Sequence, residues 1–305
     1  MNASVVTIVL ATYNGERYLP EQLASLAAQS RRPDRIVLRD DGSVDGTVGI
    51  VRAWARLNNV ELQQVHGSRL GPALSFLSAL KAARPSDLYM FCDQDDVWLP
   101  EKIARAIAAV RCANDAAPAL YATRLEVVDA NLNRLATSKC PSALSFASAA
   151  CESVLTGCTM AFNAPFRELL TSALPRYCVM HDWWCYLVAT GSSGTELHFD
   201  AVPTMLYRQH NQNALGAGPN GLRKVQARIR QFVGPQSAIR SRQLEEFSRL
   251  HCIHLDPAAS RLLHQLLPTQ RSFRARLNAS LNAPIARQTK LNILSTRIAL
   301  LTNRF

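Results

Sequence analysis

Three carboxylates, Asp93, Asp95 and Asp96, fall within four positions at the end of an apolar run, in the stretch LYMFCDQDDVWLP. Carboxylates two apart on an extended chain point the same way, so Asp93 and Asp95 can share one cation. Oxygen-only ligands suit Mg or Mn, which bind through one or two carboxylates together with substrate phosphates. The plain alternative is a solvated acidic turn capping the helix that Pro100 starts. A second acidic pair, Asp40 and Asp41, ends the run Arg35 to Arg39 and favours a binding site. Asp182, in MHDWWCYL, stands at a helix start before Trp183 and Trp184; it is either an N-cap or a carboxylate made more basic by partial desolvation. Arg208 and His210 follow the apolar strand VPTMLY. Arg208 offers phosphate a fixed fork, and His210 is assigned to the metal or the diphosphate.

The elements that position these groups alternate. Val5 to Ala11 is a β-branched run of the kind that fills a central parallel strand, followed by the turn Thr12, Tyr13, Asn14 and Gly15. Glu16 to Gln29 then has helical spacing. Arg35 to Arg39 is a strand, Asp45 caps a helix, Val60 to Val65 is a strand, Gly71 and Pro72 open a helix to Ala83, and Leu88 to Cys92 is the next strand. Strand and helix in alternation predict an α/β fold, a mostly parallel sheet flanked by helices. Its right-handed crossovers bring Asn14, Asp40, Asp41 and Asp93 to Asp96 to one edge. Neither GxGxxG nor GxxxxGK[ST] is present, which excludes the usual dinucleotide enzymes and P-loop kinases and leaves a metal to hold a diphosphate. After Arg111 the spacing changes. Ala119 to Thr123 and Glu126 to Asp129 read as short strands, Asn131 to Ala143 as a polar connection, and Ser153 to Asn163 as a strand. Gly157 within it marks either a close approach or a bulge.

The 305 residues carry a net charge of +11, and its distribution is uneven. Leu222 to Phe305 holds 15 Lys and Arg against three acids, so the first 221 residues come to −1. This divides the chain into residues 1–221, with a first half 1–111 and a second half 112–221, and a basic helical extension 222–305, with glycines 216, 218 and 221 at the boundary. Segments such as VQARIRQFV and LNILSTRIALL suit an anionic membrane surface or, equally, packing back onto the first domain. Nucleic acid is set aside because no reader motif accompanies the charge. Met1 to Ala11 does not read as a signal peptide, and no stretch is long and apolar enough to span a bilayer, so a cytoplasmic, peripheral location is expected. The eight cysteines form no CxxC pair and read as buried free thiols.

TIVLATYNGERYLPEQLASLAAQ, DDGSVDGT and CDQDDVWLPEKI resemble, in order, the motifs of family-two glycosyltransferases of the type A fold. SVLTGCTMAFN, MHDWWCYLVA and MLYRQHNQNALG resemble more narrowly the bacterial rhamnosyltransferases that build surface polysaccharides. The resemblance implies a first half that binds a nucleotide-diphosphate sugar and a second half that binds the acceptor. Thr12 and Tyr13 would flank base and ribose, and Asp41 or Asp40 would accept from a pyrimidine N3. Asp93 would lie near ribose and metal, with Asp95 as the direct metal ligand and Asp96 as a cap on the following helix. Asp182 would be the general base, with Gly157 and one of Trp183 and Trp184 on the acceptor side. Gln94 departs from the motif and is expected to face away without consequence. The implied reaction is inverting transfer of rhamnose from a dTDP or UDP donor to a lipid-linked saccharide, with Mn or Mg as cofactor. The rival readings are a sugar nucleotidyltransferase and a catalytically silent membrane-associated assembly factor.

Overall fold

The computed structural model describes residues 4–111, 116–210, 237–251, 255–267, 272–303 and 305. Strand β1 (Val6–Thr12) lies between β2 (Arg35–Asp40) and β4 (Leu88–Cys92) and is parallel to both, with β3 (Glu61–Val65) outside β2. The register pairs Thr12 with Asp40 and Leu10 with Cys92, so the ends of β2 and β4 flank the end of β1. That register sets both acidic motifs on one edge, as the alternation predicts.

Period-two alternation along β1 divides the core. Val6, Ile8 and Leu10 face α1 (Leu19–Ala27), α2 (Thr47–Leu57) and α4 (Lys102–Arg111). Val9 faces the opposite layer, where α3 (Pro72–Ala82) and α7 (His181–Gly191) contribute Phe76, Leu77, Leu80 and Trp184. The second half of the chain joins the same sheet. β9 (Ala161–Asn163) runs antiparallel between β4 and β6 (Ala119–Thr123), and β10 (Glu196–Asp200) is parallel to β6, giving seven strands in the order β10-β6-β9-β4-β1-β2-β3.

A second sheet has the order β5 (Val97–Trp98), β11 (Met205–Arg208), β7 (Glu126–Val128), β8 (Arg134–Thr137). Two segments differ from expectation. The polar connection contains β8, an outer strand whose residues are mostly exposed and which therefore has no apolar face to read. The strand expected over Ser153 to Asn163 is reduced to β9, because Gly157–Thr159 forms a 3-10 turn before it. Helices α5 (Phe146–Ala149) and α6 (Ala164–Thr171) complete this half.

The domain boundary expected at glycines 216, 218 and 221 lies outside the described residues. Beyond it stand α8 (Ser237–His251), α9 (Pro257–Leu266), α10 (Phe273–Asn282) and α11 (Lys290–Leu301). Leu244 and Phe247 of α8 are buried, with Phe247 edge-on to Trp184 at 5.8 Å between ring centres and 5.6 Å from Phe146. Burial of each such side chain contributes about 1.5–3 kcal/mol. Leu262, Leu263 and Leu266 of α9 join the same cluster. Helices α8 and α9 therefore pack back onto the layers of the first domain, one of the two roles the basic tail suggests. Of the eight cysteines, Cys92, Cys151, Cys158, Cys178 and Cys185 are buried free thiols as expected, Cys140 is exposed, and Cys112 and Cys252 lie outside the described residues.

Candidate active site

The loop after β1 is held from both sides. Gln94 Oε1 accepts from the Tyr13 N–H at 2.9 Å, and its Nε2 donates to the Tyr13 carbonyl at 3.1 Å. A side chain at Gly15 would come within 2.3 Å of Gln94 Oε1 and would displace the Gln94 amide. Gln94 is not idle: its amide holds the Tyr13 backbone. Asn14 adopts φ +46° and ties the loop across to the next one, its N–H donating to Ser43 Oγ at 2.8 Å and its Oδ1 accepting from Val44 N–H at 3.0 Å. Tyr13 is 40% exposed, and the Arg69 guanidinium lies 3.9 Å from its ring centre.

Asp40 and Asp41 are both engaged by protein donors. Asp40 accepts from Thr12 Oγ1 at 2.7 Å and from Ser43 N–H at 2.7 Å, closing the turn at Gly42, whose φ is +90°. Asp41 is buried and accepts from Ser75 Oγ at 2.6 Å, Gly71 N–H at 2.7 Å and the buried Arg39. Burial raises its carboxyl, but the hydrogen bonds from Ser75, Leu70, Gly71 and Arg39 outweigh this and hold it below its ordinary value. In this structure Asp41 clamps β2 to the start of α3, beside the place expected for a base.

On the acidic turn, Asp93 and Asp95 are partly exposed and Asp96 is fully buried. His210 Nε2 lies 2.8 Å from Asp95 Oδ2, and its ring stacks on Tyr18 at 4.7 Å. The structure thus brings together Asp95 and His210, 115 residues apart. Asp96 does not cap α4. The extended path of β5 turns it inward, where Oδ1 accepts from the Arg208 N–H at 3.1 Å and Oδ2 has no hydrogen-bond partner among the described residues. The Arg208 guanidinium donates to the Asp95 carbonyl at 2.8 Å, to the Ala130 carbonyl at 2.6 Å and to Glu21. These are the contacts of a strut beneath the acidic turn.

Asp93, Asp96 and Cys158 present ligand atoms within 4.8 Å of one another. Burial first, and then the charge of Asp95, pushes both carboxyls above their ordinary value, with Asp182 adding to Asp93 and Asp93 adding to Asp96. Burial also pushes the Cys158 thiol well up, so it is neutral and a poor partner for a hard cation. Buried Lys102, lowered to about 8 by burial, supplies limited positive charge nearby. Two neighbouring carboxyls raised by burial and by adjacent negative charge, with only a neutral thiol beside them, are what a divalent cation on oxygen ligands would relieve. The residues fit Mg or Mn.

Asp182 is the second residue of α7. Met180 occupies the N-cap position without a side-chain bond, so the N-cap reading of Asp182 does not hold. Asp182 Oδ1 accepts from Trp183 N–H at 2.6 Å and Oδ2 from Gly157 N–H at 3.2 Å. Burial raises its carboxyl to about 6, although those two backbone donors pull the other way. It stays partly exposed, as a group that must reach an acceptor has to be.

On the acceptor side the structure tells the two tryptophans apart and gives Gly157 a close neighbour. Trp184 is fully buried in the core, because neighbouring residues on a helix point about 100° apart and Trp183 takes the outer direction. Trp183 is partly exposed and fixed by Nε1 donating to the Ala149 carbonyl at 2.6 Å. Gly157 is buried, and its close neighbour is neither ligand nor backbone: a Cβ there would stand 2.1 Å from His181 Nε2. The His181 ring is itself wedged against Phe76 at 4.0 Å and Phe91 at 4.8 Å. Gly157→Ala is therefore expected to cost about 1–3 kcal/mol through overpacking, and to lower turnover by disturbing the Asp182 contact while donor binding persists. Thermal melts and transfer assays check this; an unchanged melting temperature would show that His181 yields. Sequence reasoning missed His181, Gln94, Arg69 and Tyr18. A histidine before the candidate base was visible, but its partners lie about 90 or more residues away.

A sequence profile described as "Glycosyl transferase family 2" matches residues 7–166. A dTDP-rhamnosyl transferase, RfbG of Shigella flexneri, is 31% identical over 226 residues, 68% of this chain and 74% of that protein. The crystal structure of residues 1–349 of TarS from Staphylococcus aureus, in complex with UDP-GlcNAc, superposes with a TM-score of 0.55 at 15% identity. It covers 98% of this chain and 91% of that one. The mannosyltransferase PcManGT of Pyrobaculum calidifontis, in complex with GDP-Man and Mn2+, gives a TM-score of 0.54 at 18% identity, covering 99% and 75%. The type A fold expected from the motifs is the fold observed, and the chain belongs to glycosyl transferase family 2.

Proposed function

We propose that the enzyme transfers rhamnose, with inversion, from a dTDP or UDP donor to a lipid-linked saccharide at the cytoplasmic face of the membrane, in surface polysaccharide synthesis. The observation that carries this reading is Asp182, a carboxyl raised to about 6 by burial and one of the charges acting on Asp93 of the acidic edge. A group with that value is ionised near neutrality and still basic enough to take a proton from a sugar hydroxyl. Asp182 receives the proton, the acceptor oxygen attacks the anomeric carbon opposite the diphosphate, and the configuration there inverts. Gly157 and Trp183 hold Asp182 through their N–H groups, and the partly exposed Trp183 ring offers the acceptor a face. On the donor side Thr12, Tyr13, Asn14, Asp40 and Asp41 shape the nucleotide place, and Arg208 holds the acidic turn.

Asp93 and Asp95, with His210 beside Asp95, would hold Mn or Mg, which when bound neutralises charge on the diphosphate leaving group. The rhamnosyl donor is supported by the likeness to RfbG, and the metal by the donor set and by the Mn2+ complex of a structural neighbour. A thermal-shift panel of dTDP, UDP, GDP and CDP, each with and without Mn, tests the donor, because a ligand that binds only the folded state raises its melting temperature. The largest shift is expected with dTDP or UDP plus Mn, followed by transfer from dTDP-rhamnose in preference to UDP-GlcNAc or GDP-mannose. A preference for GDP, or transfer of another sugar, would overturn the rhamnosyl reading.

A further inference from the structure

The four described C-terminal helices divide into two pairs with different surroundings. While α8 and α9 bury their apolar residues in the catalytic core, α10 and α11 do so only on one side. Ala279 and Ser280 of α10 and Thr296, Ala299 and Leu300 of α11 are buried. On α10, Phe273, Leu277 and Leu281 are exposed at intervals of four; on α11, Leu291, Leu294 and Ile298 are exposed at intervals of three and four. Such spacing sets each trio on one side of its helix. Leu291 is 72% and Leu281 64% exposed.

The two trios belong to one unit. Ser280 Oγ donates to the Arg297 carbonyl at 2.9 Å and Arg297 Nη1 donates to the Leu281 carbonyl at 3.0 Å, so the helices meet beside Leu281 and Ile298. The turn between them is anchored to the catalytic body. Ala283 and Ile285 enter the core, Arg287 Nη2 donates to Glu152 Oε2 at 2.8 Å, and Gln288 N–H donates to Glu152 Oε1 at 2.6 Å. Glu152 follows α5, whose Ala149 carbonyl holds Trp183. The hairpin is thus clamped to the acceptor side of the enzyme.

Charge narrows the occupant of this face. From Pro257 to Phe305 the chain has eight Lys and Arg and no Asp or Glu. Arg274 and Lys290 are exposed beside the apolar trios, and Arg276 and Arg297 partly so. A second copy of the same basic face would set like charges against one another. An apolar stripe edged by Arg274, Arg276, Lys290 and Arg297, none of which forms an ion pair with an acid of the described residues, matches a bilayer surface with anionic headgroups.

We propose that the α10–α11 hairpin is the membrane-docking surface, its Phe, Leu and Ile side chains entering the interface of an anionic bilayer and its Arg and Lys side chains meeting the headgroups. This deepens the lipid-linked acceptor reading, since the anchor lies on the acceptor side, but its test does not depend on that reading. The experiment uses the full chain, co-sedimented with vesicles of neutral phosphatidylcholine and of phosphatidylcholine with phosphatidylglycerol, at low and high salt. The parent is expected to partition onto the anionic vesicles and to weaken as salt rises, because part of the attraction is screened. A triple variant, Leu281→Gln, Leu291→Gln and Leu294→Gln, is expected to lose at least about tenfold in partition while keeping its melting temperature and its Mn-dependent nucleotide shift, since the three side chains are exposed and lie on helices that carry no donor-site residue. A second variant, Arg274→Gln with Lys290→Gln, should lose binding mainly to the anionic vesicles. No vesicle binding by the parent at low salt, or undiminished binding by the triple variant, overturns the proposal. Self-association of the parent that the triple variant abolishes, without lipid binding, reassigns the face to a second copy of the chain. Either failure leaves donor binding and transfer to a detergent-solubilised acceptor measurable, so it is separable from failure of the transferase reading.

Discussion

Asp182→Asn is expected to lower turnover by roughly 10²-fold or more with donor affinity close to that of the parent. Asparagine keeps an oxygen that accepts from Gly157 or Trp183 N–H, so the start of α7 has little cause to move. What it loses is the capacity to hold a proton. The pH profile supplies an independent readout. A carboxyl raised to about 6 is protonated, and useless as a base, below that value. Transfer by the parent should therefore rise through about pH 6 to a plateau, and the residual activity of the variant should lack that limb.

Stability moves in a linked way. A carboxyl whose folded value exceeds its unfolded one favours folding at pH below the unfolded value, and this contribution is lost as pH rises through about 6. Asp182→Asn should accordingly gain stability relative to the parent at pH 7–8 compared with pH 4. Melting curves at the two pH values check it. Near-parental turnover together with an unaltered pH profile would assign Asp182 to structure alone.

The parts of this site that were legible in the sequence are those fixed by local rules. The β-branched run of β1, the alternation of strand and helix, and the two acidic strand ends determine the sheet and its working edge, because register and crossover handedness leave few other arrangements. What was hidden is decided by partners remote in sequence. Asp96 looks like its neighbours until Arg208, 112 residues later, supplies the N–H that holds it inward. Trp183 and Trp184 are chemically equal in the sequence, and only the placement of α8 decides which is enclosed. Gly157 was visible as a glycine with a reason, but the reason is an imidazole 24 positions on. Gln94 read as a neutral departure from a motif because its contact is with the backbone of Tyr13, and backbone partners leave no mark on side-chain pattern. The tail was ambiguous between two roles since charge and amphipathicity are shared by packed and lipid-facing helices; the burial of Leu244 and Phe247 shows α8 to be packed, and the exposure of Leu291 and Leu294 leaves α11 open to the lipid role proposed above.

Asp95→Asn is expected to remove the Mn-dependent part of nucleotide binding and to lower transfer by roughly 10²-fold or more, since a bound metal contributes several kcal/mol to stabilising a charged leaving group. The fold should persist. Asp95 is partly exposed, its carbonyl rather than its carboxylate takes the Arg208 Nε hydrogen bond, and the substitution relieves Asp93 and Asp96 of one repulsive neighbour. The competing account makes Asp95 no more than the partner of His210, whose ring lies 2.8 Å away. His210→Gln distinguishes the two. It removes that partner while keeping the carboxylate, so under the metal reading it should weaken Mn-dependent binding far less than Asp95→Asn does. Calorimetric titration of dTDP or UDP into each variant, with and without Mn, gives the comparison. If Asp95→Asn retains the full Mn-dependent increment, the carboxylate of Asp95 is not the principal metal ligand and the cation belongs deeper, with Asp93 and Asp96; if His210→Gln loses as much as Asp95→Asn, His210 holds the cation together with Asp95.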